Sequence, residues 1–221
     1  MKNAKKLLSL LLALAMVLCF TACGVKGGKS GKIDGTWVTE IDATAFMASQ
    51  LSAMGIEEDK VPDLMLSFQI EFDGKNEYTF SVEEKATEKA YNKFLEKFGD
   101  LLVDFLYDQG EDAGYSKSEY SALFEEKYEL SIEEYVAEYV KDSMSFDSFK
   151  DSFEEETGYY KVKGDKIYVA EDEDDLDDSE AYVEFELDGK KLSFKDYEDN
   201  AFGLDDLDEM GVDLPLVFNK K

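Results

Sequence analysis

Eight of the ten residues from Glu171 to Glu180 are acids. Clustered carboxylates first suggest a hard cation, because Ca²⁺ takes about six to eight oxygen ligands. A calcium loop starting at Asp175 would place Asp177 third, Ser179 fifth and Glu186 twelfth. Glu180 then falls sixth, where the sharp turn of such a loop takes glycine. Glu186 falls in an alternating stretch that reads as a strand. The run is therefore read as a solvated acidic loop, with calcium capture as the alternative. Asp196 to Glu209 adds seven acids and no lysine, and it reads the same way.

Two absent residue types narrow the remaining chemistry. The chain has no histidine, and all 24 of its basic residues are lysines. An imidazole general base, a Ser–His–Asp or Cys–His arrangement and a His-based metal site are thereby excluded. So is the bidentate guanidinium fork that recognises phosphate and carboxylate. Neither S-x-x-K nor G-x-S-x-G occurs. Gly28-Lys29-Ser30 imitates the end of a phosphate-binding loop, but Gly24 lies one residue too close and no strand precedes it. A carboxylate pair could hydrolyse a glycoside, although 52 acids bring some pair to a suitable distance by chance. The chain is read as a non-enzyme with no cofactor and no metal.

From Ile33 onward, 18 lysines stand against 52 acids, a net charge of −34. Such a surface is repelled by nucleic acid and by anionic lipid, and the partner it complements is cationic.

Residues 1–23 carry a different signal. Lys2, Lys5 and Lys6 precede 14 residues, Leu7 to Phe20, of which only Ser9 is polar. That length is short of the roughly 17–25 residues a membrane span needs. Thr21 and Ala22 are small, and Cys23 follows them. The stretch resembles a bacterial lipoprotein signal peptide with its lipobox. The resemblance implies that residues 1–22 are removed and that Cys23 receives a diacylglycerol thioether and palmitate-type acyl chains. Two chains suffice for stable anchoring, which implies a bacterial cell membrane location facing the extracytoplasmic side. Cleavage would also remove Cys19, leaving one thiol that the lipid consumes, so no disulfide framework is expected. Residues 23–32 then form an anchored Gly/Lys/Ser tether. Nine such residues reach on the order of 16–18 Å, and their lysines suit anionic headgroups.

Residues 33–221 read as one domain. Trp37, Thr39 and Ile41 alternate with Val38 and Glu40 in a first strand, followed by a short amphipathic segment around Phe46, Leu51 and Met54. Leu66, Phe68, Ile70 and Phe72 alternate with polar residues, and Asp73-Gly74 turns the chain into Tyr78, Phe80 and Val82. The period then becomes helical over 84–108, with Gly110 and Gly114 as breakers. Ser116 with Glu119, and Ser131 with Glu134, are capping-box spacings that start helices near 117 and 132. A last helix carries Phe149 and Phe153 and ends before Gly158. Hairpins over 160–169 and 181–194, and a strand over Leu214, Leu216 and Phe218, restore the strand period. The expected fold is α+β: an antiparallel up-and-down barrel, or a strongly curved sheet, of about eight strands. A helical insertion at about 84–156 separates strands three and four. An open two-layer sheet satisfies the same pattern.

Phe94, Phe98, Phe105, Tyr120, Phe124, Tyr128, Tyr135 and Tyr139 make this insertion rich in aromatic rings. They read either as helix packing or as the lining of a barrel mouth or partner groove.

Gly35-Thr36-Trp37, the run from Gly158 to Ile167 and the close at Leu216-Val217-Phe218-Asn219-Lys220 resemble small lipocalin-like bacterial lipoproteins. The resemblance implies a closed barrel with room for a small ligand. Family members usually pack an arginine over the first-strand tryptophan, and this chain has none. The expected function is non-enzymatic binding of a small apolar ligand or a peptide. The alternative is an acidic structural or interaction module that docks a cationic envelope protein. Replacing Cys23 with Ser is expected to move the protein from the membrane to the soluble fraction. A variant that is still processed and still sediments with membranes would overturn the lipobox reading.

Overall fold

Alternating apolar and polar residues place one side chain in two on the same face, and this pattern builds the barrel. The computed structural model describes residues 33–151, 155–204 and 211–221. Its strands are β1 (Gly35–Asp42), β2 (Met65–Phe72), β3 (Glu77–Val82), β4 (Glu156–Lys163), β5 (Lys166–Ala170), β6 (Tyr182–Asp188), β7 (Lys191–Glu198) and β8 (Leu216–Lys220). All neighbours pair antiparallel in chain order, and β8 returns to β1, so the sheet is a closed up-and-down barrel. Closure rules out the open two-layer sheet.

The inward faces of β1 and β2 carry Trp37, Ile41, Leu66, Phe68, Ile70 and Phe72, all buried. Rings then meet rings across the interior. Phe68 stacks on Phe80 at 5.6 Å, and Phe72 meets Tyr160 edge-on at 4.7 Å. Phe202, from the connection after β7, contacts Tyr78 at 4.9 Å and Phe194 at 5.4 Å. Trp37 has two further ties. Its Nε1–H donates to the Ile33 carbonyl at 2.6 Å, and the Lys220 Nζ lies 4.9 Å from its ring centre. Lys220 also donates to the Asp34 carbonyl at 2.6 Å. A lysine on the last strand therefore supplies the cation over the tryptophan.

The strands are strongly staggered. Tyr159 pairs with Glu77 on one side and with Ala170 on the other, so the end of β5 lies level with the start of β3. Short turns at 73–76, 164–165 and 189–190 close one end. The connections 43–64, 83–155, 171–181 and 199–215 all leave from the other end.

Two of those connections hold the helices α1 (Thr44–Ser52), α2 (Glu84–Asp112), α3 (Lys117–Tyr128), α4 (Ile132–Ser143) and α5 (Phe146–Lys150). Both expected capping boxes are formed, Ser116 with Glu119 and Ser131 with Glu134. Three boundaries differ from the sequence reading. Helix α2 runs through Gly110 to Asp112, because a β-carbon at Gly110 would overlap the Tyr120 ring. The glycine is there for close packing, and the break falls at Gly114, with φ +89°. Gly158 lies inside β4, where the Tyr78 ring and the Ala170 carbonyl occupy the space of a side chain. The helical insertion thus ends before 156, and Phe153 lies outside the described residues. Strand β8 begins at Leu216, after a cis Leu214–Pro215 bond.

One buried side chain fastens the helical block to the barrel. Strand β3 pairs with β2 as far as Phe68↔Val82, and the Glu83 amide then donates to the Ser67 carbonyl at 2.8 Å, which leaves the Ser67 amide to a side chain. The Thr87 hydroxyl of α2 fills the place. Its Oγ1 accepts from the Ser67 amide at 3.0 Å and donates to the Ser67 carbonyl at 2.9 Å. Thr87→Val keeps the shape but leaves that buried amide unpaired. It is expected to cost about 1–3 kcal/mol, read by denaturant unfolding.

Candidate functional site

The loop over 171–180 does not gather its carboxylates. Leu176 is wholly buried and pins the loop at its centre. Around it, Asp177 pairs with Lys161 and lies 3.7 Å from Lys163. The Lys161 ammonium holds the Asp177 carboxyl below the usual carboxylate range. The Ser179 hydroxyl donates to the Val169 carbonyl at 2.8 Å, and Glu186 pairs with Lys195 across the β6–β7 hairpin. Asp177, Ser179 and Glu186 are thus each engaged by a different partner. Among the described residues, no three His, Cys, Asp or Glu side chains converge as a metal group. Asp205 to Glu209 of the second acidic run, and Cys23, lie outside the described residues.

The rings of the helical insertion mostly turn to one another. Phe124 of α3 is the hub, 4.5 Å from Tyr128, 5.3 Å from Tyr135 and 6.3 Å from Tyr120. Phe94 and Phe98 of α2 stack at 5.2 Å and are buried. Phe105 differs, because it lines an open cleft. Apart from Phe105, the aromatic residues named above build the packing of the block.

Surface grooves follow α2. Its inner face carries Tyr91, Phe94, Leu95, Phe98 and Leu102. Its outer surface carries Glu96, Asp100, Asp104, Asp108 and Asp112, five exposed acids each four residues apart. Residues four apart are neighbours but step about 40° round the helix each time, so the acids form an oblique ladder about 24 Å long at 1.5 Å per residue, running from the α4 side at Glu96 to the Gly55–Lys60 side at Asp112. Like charges at this spacing destabilise a helix by about 0.2–0.5 kcal/mol per pair.

On one flank of the ladder, a cleft of about 710 Å³ lies between α2 and the segment from Gly55 to Lys60. It holds Asp104, Asp108 and Asp112 with Lys60 and Lys117. Lys60 has its pKa raised, first by its bond to Glu57 and also by Asp108. On the other flank, a groove of about 640 Å³ runs between α2 and α4. Its floor is Leu95, Gly99 and Val103 from α2 with Val136, Ala137 and Val140 from α4. Its rim is Glu96, Asp100, Asp104 and Glu133, against the single Lys141. Gly99 has no structural reason to be glycine. A β-carbon there meets nothing within 4 Å, and the residue is helical. Glycine costs about 0.5–1 kcal/mol relative to alanine at such a site, and here it leaves a notch in the groove floor.

A third groove, of about 340 Å³, separates Thr39–Asp42 of β1 from Gly211–Asp213 and Pro215–Val217. It begins where the β1–β8 ladder stops.

No protein-family model, curated protein or solved structure matches this chain. Among the described residues, no helix is long and apolar enough to cross a membrane. The sequence reading missed the α2 ladder because it sought acids by density along the chain. The signal was present as a four-residue spacing within a helix.

One half-buried acid stands apart from these surfaces. The Tyr78 hydroxyl donates to Glu156 Oε1 at 2.6 Å. Burial raises the Glu156 pKa, which the Tyr78 bond opposes and Glu171 reinforces. Burial first, then Glu156, raises that of Tyr78. An acid whose folded pKa is raised contributes stability below its unfolded pKa and loses that contribution as pH rises through the folded value. Glu156→Gln keeps an acceptor for Tyr78 and removes the charge. The variant is expected to melt above the parent protein at pH near 7. The advantage should vanish as pH falls to about 4, where carboxyls protonate. Equal melting temperatures at both pH values would contradict this.

Proposed function

We propose that this chain is a lipid-anchored, extracytoplasmic, non-enzymatic binding protein that takes a cationic protein partner on its helical face. The α2 acid ladder between two open grooves carries this reading, because it concentrates like charge on an exposed surface that packing does not require. The excess of acid over lysine supports the sign of the partner. The absence of histidine and arginine supports a non-enzymatic role.

The barrel itself is read as lipocalin-like. Gly35-Thr36-Trp37 opens β1, eight strands close in an up-and-down barrel, and Lys220 lies across Trp37 in the place of the family's arginine. Its interior is occupied by contacts such as Phe72–Phe202 and Phe194–Phe218. These rings favour the outer helical face over the barrel interior as the binding surface. Anchoring through Cys23 follows from the signal-peptide resemblance, and the basic tether would hold the acidic body away from the headgroups.

Ionic strength separates this reading from the small apolar ligand suggested by the lipocalin resemblance. The full chain, taken from an envelope extract in detergent, is weighed under native and denaturing conditions at low salt and at about 1 M salt, where the screening length is about 3 Å. A basic protein bound at low salt and lost at high salt is the expected result. A small apolar molecule retained at both concentrations would overturn the outer-face reading and place binding in the barrel.

A further inference from the structure

The groove between α2 and α4 has a defined shape and charge. Leu95, Gly99 and Val103 follow one another at four-residue intervals along one wall, and Val136 and Val140 do so along the other. Helical side chains stacked at this interval form ridges, and a groove between two such ridges accepts the apolar face of a third helix. The notch at Gly99 lets the incoming helix approach the α2 backbone, which a larger side chain would prevent. Glu96, Asp100 and Asp104 lie one position beyond the apolar stripe and parallel to it.

The geometry points to a specific occupant: an amphipathic helix of a partner protein, with its apolar ridge over Gly99 and lysine or arginine residues four apart facing Glu96, Asp100 and Asp104. This inference rests on the reading of the helical face as a cationic-partner surface and names where and how the partner sits. The apolar floor supplies contact area. The acid ladder sets which side of the incoming helix faces α2, since a cation row on the far side would leave three like charges unrelieved. The opposite rim, on α4, carries one charge of each sign, Glu133 and Lys141, so the charge preference comes from the α2 side. The chemistry selects neither nucleic acid nor an acidic peptide, because both carry the charge of the rim.

The test uses the full chain in detergent and a labelled leucine/lysine peptide of about five helical turns, with leucines on one face and lysines flanking them. A leucine/glutamate peptide of the same pattern is the control. The parent chain is expected to bind the first peptide and not the second, with slowed backbone hydrogen exchange over 95–104 and 133–141. Gly99→Leu fills the notch and is expected to weaken binding about tenfold or more. Gly99→Ala keeps the helix and should raise the melting temperature, which confirms that the site tolerates a side chain. Asp100→Asn with Asp104→Asn removes two rungs of the ladder without adding bulk and should weaken binding while steepening no other transition. Asp172→Asn with Asp174→Asn, in the acidic loop, should leave binding unchanged. Binding that survives Gly99→Leu but falls with the Asp172/Asp174 pair overturns the groove while sparing the broader reading of a cationic-partner surface. No binding of the leucine/lysine peptide at low salt overturns both. Equal binding of the leucine/glutamate peptide overturns the charge-matched occupant.

Discussion

The barrel closes on a short ladder between Trp37–Val38 and Asn219–Lys220, and the rest of the molecule depends on that meeting. Before it forms, the sheet has two open edges, each a row of unpaired backbone groups. Trp37 is held from several directions at the seam: by its strand partner, by the Ile33 carbonyl and by the Lys220 ammonium over its ring. A cation over an aromatic face contributes about 0.5–2 kcal/mol, more as it is desolvated. Lys220 also bonds to the Asp34 carbonyl, so one side chain ties the last strand to the chain entering the first. The closing residues lie at opposite ends of the domain. Closure therefore carries a loop-entropy cost that grows slowly with the length between them, and a helical insertion of some 70 residues adds little to it. That weak dependence explains how a small barrel tolerates so large an excursion between β3 and β4.

The insertion is nevertheless fastened where it leaves the sheet. Beyond Val82 the ladder ends with the Glu83 amide on the Ser67 carbonyl, and the Thr87 hydroxyl satisfies the Ser67 amide and adds a second bond to that carbonyl. Helix α2 begins at that point, with Glu83 accepting from the Ala86 amide and Lys221 at the chain's end bonding to Glu83. The same acid thus caps the helix and receives the residue that follows β8. Its carboxyl is held below the usual range, first by Lys221 and then by the Ala86 amide. The start of the helical block and the seam of the barrel are joined through it.

Much of this architecture was legible in the sequence, for physical reasons that differ between elements. The strand pattern in Leu66, Phe68, Ile70 and Phe72 survives because β2 buries one face in the barrel, so the period of two is imposed by the core. The capping boxes at Ser116 and Ser131 are local, and they form from residues three apart without tertiary help. Gly110 misled because it was taken as a breaker, whereas it is a close-approach site set by the Tyr120 ring. Lys220 was overlooked because only arginine was considered for a cation over the tryptophan, although an ammonium on the neighbouring strand reaches the ring. The acidic loop attracted attention by composition, yet buried Leu176 and the Lys161–Asp177 pair disperse its carboxylates.

The α2 ladder and the groove beside it perform different physical tasks. At physiological salt the screening length is about 8 Å, so exposed carboxylates on α2 act only on charges that have nearly arrived. Such charges raise encounter rates and reject wrong partners more than they add affinity. The apolar floor has the opposite character, since it is blind to sign and gains from contact area. A surface with the ladder alone would hold cations weakly and without orientation, and one with the groove alone would accept any apolar ridge. On the proposed reading, the two together would make recognition depend on both the face and the flank of the incoming chain. The like-charge stack and the unsupported glycine each cost α2 a fraction of a kcal/mol to about 1 kcal/mol. Against a domain stability of about 5–15 kcal/mol, these are losses that a folded barrel can carry. Placing them on the exposed side of a helix whose inner face is Tyr91, Phe94 and Phe98 keeps them from the core. The barrel and the inner face of α2 hold the fold, which leaves the outer face free to keep a charge pattern that packing alone would not favour.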